Sequence, residues 1–429
     1  MPLDPRWQQD LTNPIRRLGF YIALMLIFVR FSMIHELLSF YFRVPVYLLA
    51  ALGIPCVFLA IISGGLRRTL RFRMSYYWLG FMGWLVLAIP LSYWVGGSLF
   101  WVSSYFRTQF VMLFVVAGLV MGWKECRQVM YAIALGALVN VITAQVFQSQ
   151  DGARLSLVFA GSISNSNDFA AHLMLCLPFV LFFFVTAGPN FLLRIITLIV
   201  AGVAYHVIMS TGSRGALVAI IVASTYALVR APAHLRIAGI IVMPLLVLLS
   251  VGLLPKETLS RYGTLFGTAA GEEDLAAKAS SQTRTYLLRT STLFSLQHPL
   301  LGVGPGEFED HEAEIAKSAN RRAVWMPTHN SYTQISSEAG IPALLFMIAA
   351  LVSTYRILNN IYKQARTRAV LRPIMMASFC TMLAMVSFCS VIFFLSLAYK
   401  FYLPALSGLA IALNGAAQAE FAKVKPAGS

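Results

Sequence analysis

The side chains of this sequence best suited to chemistry on a phosphorylated substrate are three arginines and a histidine. Arg284 and Arg289 stand in Thr283-Arg284-Thr285-Tyr286-Leu287-Leu288-Arg289, Arg214 in Ser213-Arg214-Gly215, and His329 in Pro327-Thr328-His329-Asn330. A guanidinium stabilises departing phosphate charge without a metal, and an imidazole can take a proton near neutral pH. Each residue also has a plainer reading. Five residues at helical spacing set Arg284 and Arg289 roughly 140° apart, so they flank an apolar stripe of Tyr286, Leu287, Leu293 and Phe294 instead of sharing a face. Snorkelling arginines on a surface helix would look the same. A lone histidine at a helix start is commonly structural. Arg214 opens a helix, where the dipole disfavours a cation unless an anion lies between them, and interfacial snorkelling is the alternative.

Neighbouring motifs are weaker. Gly302-Val303-Gly304-Pro305-Gly306 lacks the spacing and the strand context of a dinucleotide site and reads as a tight backbone turn. Glu307, Glu309, Asp310, His311, Glu312 and Glu314 could hold a divalent cation, but successive carboxylates point in different directions, as in a solvated helix start. His329, Tyr332, Thr333 and Ser336 share a helix face, with Thr328 or its neighbour as the cap. Glu338 lies about half a turn away from His329 and is poorly placed to orient it. Asn165, Asn167, Asp168 and His172 fall at the same level before another apolar segment.

The elements that must position these residues are membrane helices. The chain has 429 residues, of which 58% are hydrophobic and 12% charged, and a mean hydropathy of +0.73. Runs of about 20 apolar residues predict about twelve spans: 17–34, 45–64, 76–96, 107–123, 128–147, 168–187, 191–210, 214–230, 236–254, 332–355, 373–398 and 401–417. Arg16 and Arg17 precede the first without a small-residue cleavage site, so it is expected to be retained. The fold class is an all-α polytopic membrane protein with one large, mainly helical loop between the ninth and tenth spans. The chain then divides into 1–254, the loop 255–330, and 331–429. None of the five cysteines lies in the loop, which excludes a disulfide framework there.

The net charge of +16 first suggests nucleic acid. With the N-terminus inside, however, 19 of the 33 basic residues and only four acids fall on one face, and the other face holds 14 basic and 13 acidic residues. This positive-inside pattern explains the charge, puts the loop outside, and leaves no call for a nucleic-acid partner.

In their order, Ser213-Arg214-Gly215 at a span start, an outer loop with Arg284 and Arg289, His298-Pro299-Leu300-Leu301-Gly302-Val303-Gly304, and His329-Asn330-Ser331-Tyr332 opening the next helix resemble the O-antigen ligase family. That family also includes O-antigen polymerases and protein O-oligosaccharyltransferases. The motifs are confined to about 210–340, and Leu288 departs from the tryptophan common after the arginine in relatives. The resemblance implies a multi-pass glycosyltransferase of the bacterial inner membrane with a periplasm-facing site. Its donor would be an undecaprenyl-diphosphate-linked polysaccharide, its acceptor lipid A-core, and its surroundings membrane lipids. His329 would be the base, Arg214 and Arg284 would hold the diphosphate, and Arg289, Asn330 and Tyr332 would contact substrate. No metal and no cofactor would be needed. Polymerase and protein oligosaccharyltransferase share the donor. A transporter or flippase would more naturally show charged spans and paired broken helices, and no inverted repeat is visible.

Overall fold

The structure is a computed structural model that describes residues 6–151, 154–158, 161–163, 165–188, 190–231, 236–237, 240–241, 248, 252–263 and 272–424. Among the described residues seven helices are long and apolar enough to cross a membrane: Arg73–Leu91, Val95–Leu119, Trp123–Val146, Ser166–Thr186, Phe191–Ser210, Ser331–Ala365 and Ala369–Phe394. Pro14–Ser32 and Ile34–Phe42, bent by 69° at Met33, whose φ is +52°, are long and apolar enough only as a pair, a broken span or a re-entrant loop, which makes up to eight. The chain is a polytopic membrane protein, and its long apolar helices pair most of their backbone polar groups within themselves, as a hydrocarbon environment demands.

Three other expected spans are helices of different character. Leu48–Ile62 has 15 residues and Arg214–Arg230 has 17. Tyr402–Lys423 is long, but it carries small and polar residues and is buried for most of its length in the centre of the bundle. The expected ninth span, 236–254, lies mostly outside the described residues, as does much of the small-residue stretch after Gly263. The fourth span starts earlier than its hydropathy suggested, because Val95–Tyr105 continues through a π-helical turn, Phe106–Phe110, into Met112–Leu119. One element was not anticipated. Gln148–Asp151 and Arg154–Leu157 pair as two antiparallel strands, Gln148 opposite Leu157, beyond the end of Trp123–Val146.

The two ends of the bundle are chemically distinct. At the basic end Arg16 is fully buried and donates to Glu125 at 2.6 Å and to the Leu119 carbonyl at 3.0 Å, and Arg68 donates to the Gly118 carbonyl. The opposite end carries the loop, which is helical as expected: Lys256–Gly263, Glu272–Gln297 and Phe308–Ser318. Leu287 and Phe294 of the second helix bury against Val303 and Phe308, whereas Leu293, expected on the same stripe, is half exposed.

Candidate active site

The glycine run explains how the loop is seated. The Ser331–Ala365 helix breaks at Gly340, whose φ is +83° and ψ 170°. Pro342 has no N–H for the Glu338 carbonyl, and the Ile341 N–H turns away to the Pro299 carbonyl at 2.8 Å. The freed carbonyls of Ser337 and Glu338 accept instead from Val303 and Gly304 at 2.8 and 2.9 Å, and the Glu338 carboxylate accepts from the Gly306 N–H at 3.0 Å. From the other side the Trp84 indole, the Tyr93 N–H and the Ser98 hydroxyl donate to the carbonyls of Leu300, Val303 and Pro305. Gly302 has φ +68°, and a Cβ there would sit 2.3 Å from the Glu338 carbonyl carbon. The run therefore pairs loop backbone with a broken membrane helix. Glu338, two residues before that break, bonds the loop backbone at Gly306.

Above the break, the Glu272–Gln297 helix lies along the start of Ser331–Ala365. Ser291 and Ser295 bond Thr333 and Ser336 at 3.0 and 2.7 Å. Tyr286 donates to Glu312 at 2.7 Å, Glu312 also accepts from the Val324 N–H at 3.1 Å, and Arg321 lies over the Tyr286 ring. Glu312 is thus occupied by the fold, and among the described residues no three His, Cys, Asp or Glu side chains gather as a metal site.

His329 sits where this helix meets the membrane. Its backbone takes the left-handed conformation, φ +52°, and its N–H donates to Ser396 Oγ at 2.9 Å. Ser396 is also 3.1 Å from Thr328 Oγ1, and Ser331 bridges the same turn by donating to the Leu395 carbonyl and accepting from the Leu397 N–H. Burial holds the His329 imidazole down to a pKa of about 4, and the charge of Arg284 adds to the effect. The ring is neutral at pH 7, and Arg284 is close enough to act on it. Arg289 of the same helix is exposed and exerts no such influence.

Asn330, not Thr328, caps the helix: its Oδ1 accepts from the Tyr332 and Thr333 N–H groups at 2.9 and 3.1 Å. The Tyr332 hydroxyl donates to the Cys389 carbonyl at 2.8 Å. These polar groups hold the helix start in place.

Arg214 opens the Arg214–Arg230 helix, whose Ser213 cap accepts from Ala216. The corner before it is clamped by Arg154, which donates to the Thr211 carbonyl and to Asn167, and by Tyr262, which donates to the Met209 carbonyl at 2.8 Å. A cation at the carbonyl end of the Phe191–Ser210 helix is favourable. Gly215 packs on Phe394, two residues before Ser396. The 392–396 turn therefore adjoins both the Arg214 helix start and His329.

Sequence reasoning did not single out Ser396 or Arg154. Ser396 lay at the end of an expected apolar span. Arg154 counted only as one more outer charge, although a lone arginine between two spans was the available signal. His172 is a satisfied core residue, within 2.8 Å of the Phe31 carbonyl and of Tyr402 Oη.

The arrangement offers a neutral base beside one guanidinium, with a second guanidinium at a helix start across a shared turn. Residues 196–348, which contain Arg214, Arg284, Arg289 and His329, match the family model described as O-antigen ligase. No curated protein matches the chain.

Proposed function

We propose, from the premise that the chain belongs to the O-antigen ligase domain family, that this membrane glycosyltransferase moves a polysaccharide from undecaprenyl diphosphate to the outer sugar of lipid A-core. The observation that carries the reading is the pairing of a neutral imidazole with a guanidinium at the seam of loop and membrane. His329 takes the proton of the acceptor hydroxyl, and that oxygen attacks the anomeric carbon as the bond to the diphosphate oxygen breaks. Configuration inverts, and no covalent enzyme intermediate forms. Arg214 and Arg284 hold the departing diphosphate, where guanidinium groups stabilise charge that grows in the transition state. Arg289, on the exposed side, contacts the glycan or the lipid phosphate more loosely. Asn330 and Tyr332 act by positioning His329.

The same reading assigns twelve spans: the eight above, Leu48–Ile62, Arg214–Arg230, Tyr402–Lys423 and a ninth within 236–254. It assigns the bacterial inner membrane with the basic end in the cytoplasm and the loop 255–330 in the periplasm between spans 1–254 and 331–429. It needs no metal, cofactor or nucleic acid. A buried neutral base supports transfer to a hydroxyl; it does not choose among the acceptors that the family uses.

The test is reconstitution with purified lipid-linked donor and three competing acceptors: lipid A-core, a second lipid-linked glycan and a pilin-like protein. Attachment to lipid A-core is expected, and attachment to protein alone would overturn the choice. His329→Ala protein is expected to insert normally and to transfer nothing, so full transfer by it would end the base assignment.

A further inference from the structure

At the basic end, opposite the loop, a groove of about 390 Å³ opens between the short helix Trp7–Thr12, the Pro14–Ser32 helix, the start of Trp123–Val146 and the last turn of Tyr402–Lys423. Arg17, Lys124 and Lys423 line it together with Trp7, Trp123 and Tyr21. Two carboxylates also border it, and both are occupied. Glu125 accepts from Arg16 and from the Met121 and Gly122 N–H groups, and Glu420 pairs with Lys423 at 2.7 Å. The side chains of Arg17 and Lys124 are exposed and form no hydrogen bond or ion pair with another described residue. Among the described residues the groove thus presents two cations without a carboxylate partner.

The surface leading away from the groove is apolar. Leu18, Tyr21 and Met25 recur at helical spacing on Pro14–Ser32 and are 57, 55 and 58% exposed. Tryptophan and tyrosine with cations at the end of such a row are the signature of a bilayer interface. A free inorganic anion would use the cations alone. A lipid uses both parts, its phosphate among the cations and its acyl chain along the row.

We propose that this groove is a binding site for one anionic glycerophospholipid, the headgroup phosphate held by Arg17 and Lys124 between Trp7 and Trp123. The inference rests on the chain's being a membrane protein and is independent of the catalytic reading.

The experiment is native mass spectrometry of the full-length protein with dioleoyl phosphatidylglycerol or dioleoyl phosphatidylcholine. Retention of one phosphatidylglycerol in preference to phosphatidylcholine is expected. Arg17→Ala and Lys124→Ala should each weaken it about fivefold, the effect of about 1 kcal/mol per basic residue at an anionic surface. Arg356→Ala, which removes a basic residue outside the groove, should retain lipid as wild type does. Unfolding temperatures in phosphatidylcholine nanodiscs guard against misfolding, and Arg17→Lys, which keeps the charge, should keep the lipid. Equal retention of the two lipids, undiminished retention in the Arg17→Ala, Lys124→Ala double variant, or displacement of the lipid by millimolar inorganic phosphate would each overturn the proposal.

Discussion

Replacing Arg284 by glutamine tests whether that guanidinium and His329 form one electrostatic unit. The imidazole stands at about 4 against an ordinary 6.5, with burial as the larger cause and Arg284 as the second. Removing a neighbouring positive charge makes protonation easier, so the pKa must rise. Because burial remains, the rise covers less than half of the gap and ends no higher than about 5. The acid limb of kcat/KM for the lipid-linked donor, which reports the free enzyme, is therefore expected near pH 4 in the wild type and near pH 5 in Arg284→Gln. In the wild type the limb of kcat should lie above that of kcat/KM, since bound diphosphate offsets the Arg284 charge and moves the base toward the operating pH. If the variant turns over too slowly, titration of ¹³C-labelled histidine by NMR, with His329 assigned from His329→Gln, gives the same number. An unmoved or lowered limb in Arg284→Gln, or a wild-type imidazole at 6.5, would refute the coupling. The stability linkage has a definite sign. The unfolded chain binds the proton between about pH 4 and 6.5 while the folded chain does not, so this contribution is present above 6.5 and is lost as pH falls through that window.

Two further outcomes follow from the geometry. Ser396→Ala removes the acceptor for the His329 N–H and should lower kcat about fivefold, the worth of about 1 kcal/mol for one hydrogen bond, with donor KM little changed; Ser396→Thr should recover most of the rate. Gly302→Ala should lose at least about 2 kcal/mol of stability through strain at a positive φ and the clash with Glu338, read as a fall in folded protein on size exclusion; an unaltered unfolding temperature would contradict the seating of the loop.

Much of the fold was legible because hydrocarbon leaves the backbone so few options. Apolar runs placed the helices, and charge asymmetry separated the ends. Length alone was misleading where polar residues interrupt a helix, as before Met112, or where a central helix such as Tyr402–Lys423 is surrounded by protein and can dispense with strong hydropathy. The paired strands Gln148–Asp151 and Arg154–Leu157 were hidden because they are four residues each and mostly polar. At the site, residue type picked out His329, Arg284 and Arg214, but helical angles could not choose between Arg284 and Arg289. Of the two, Arg284 is the one whose charge acts on His329, 45 residues along the chain. Tyr332 illustrates the converse: a residue near a reactive group in sequence can be held by a carbonyl from another span, here that of Cys389. Ser396 was unreadable for the same reason, since its partner, the His329 N–H, lies in the loop 67 residues earlier.

The backbone pairing between residues 299–304 and the break at Gly340 bears on how such loops can be exchanged among relatives. A loop grafted at the membrane boundary near residue 330 would arrive without the helix break it evolved with. The recipient helix would either lack free carbonyls or hold them against hydrocarbon unpaired. Recombination that preserves function must therefore carry residues 299–342 as one cassette, so the heritable unit of this protein cuts across the line between its aqueous and membrane parts.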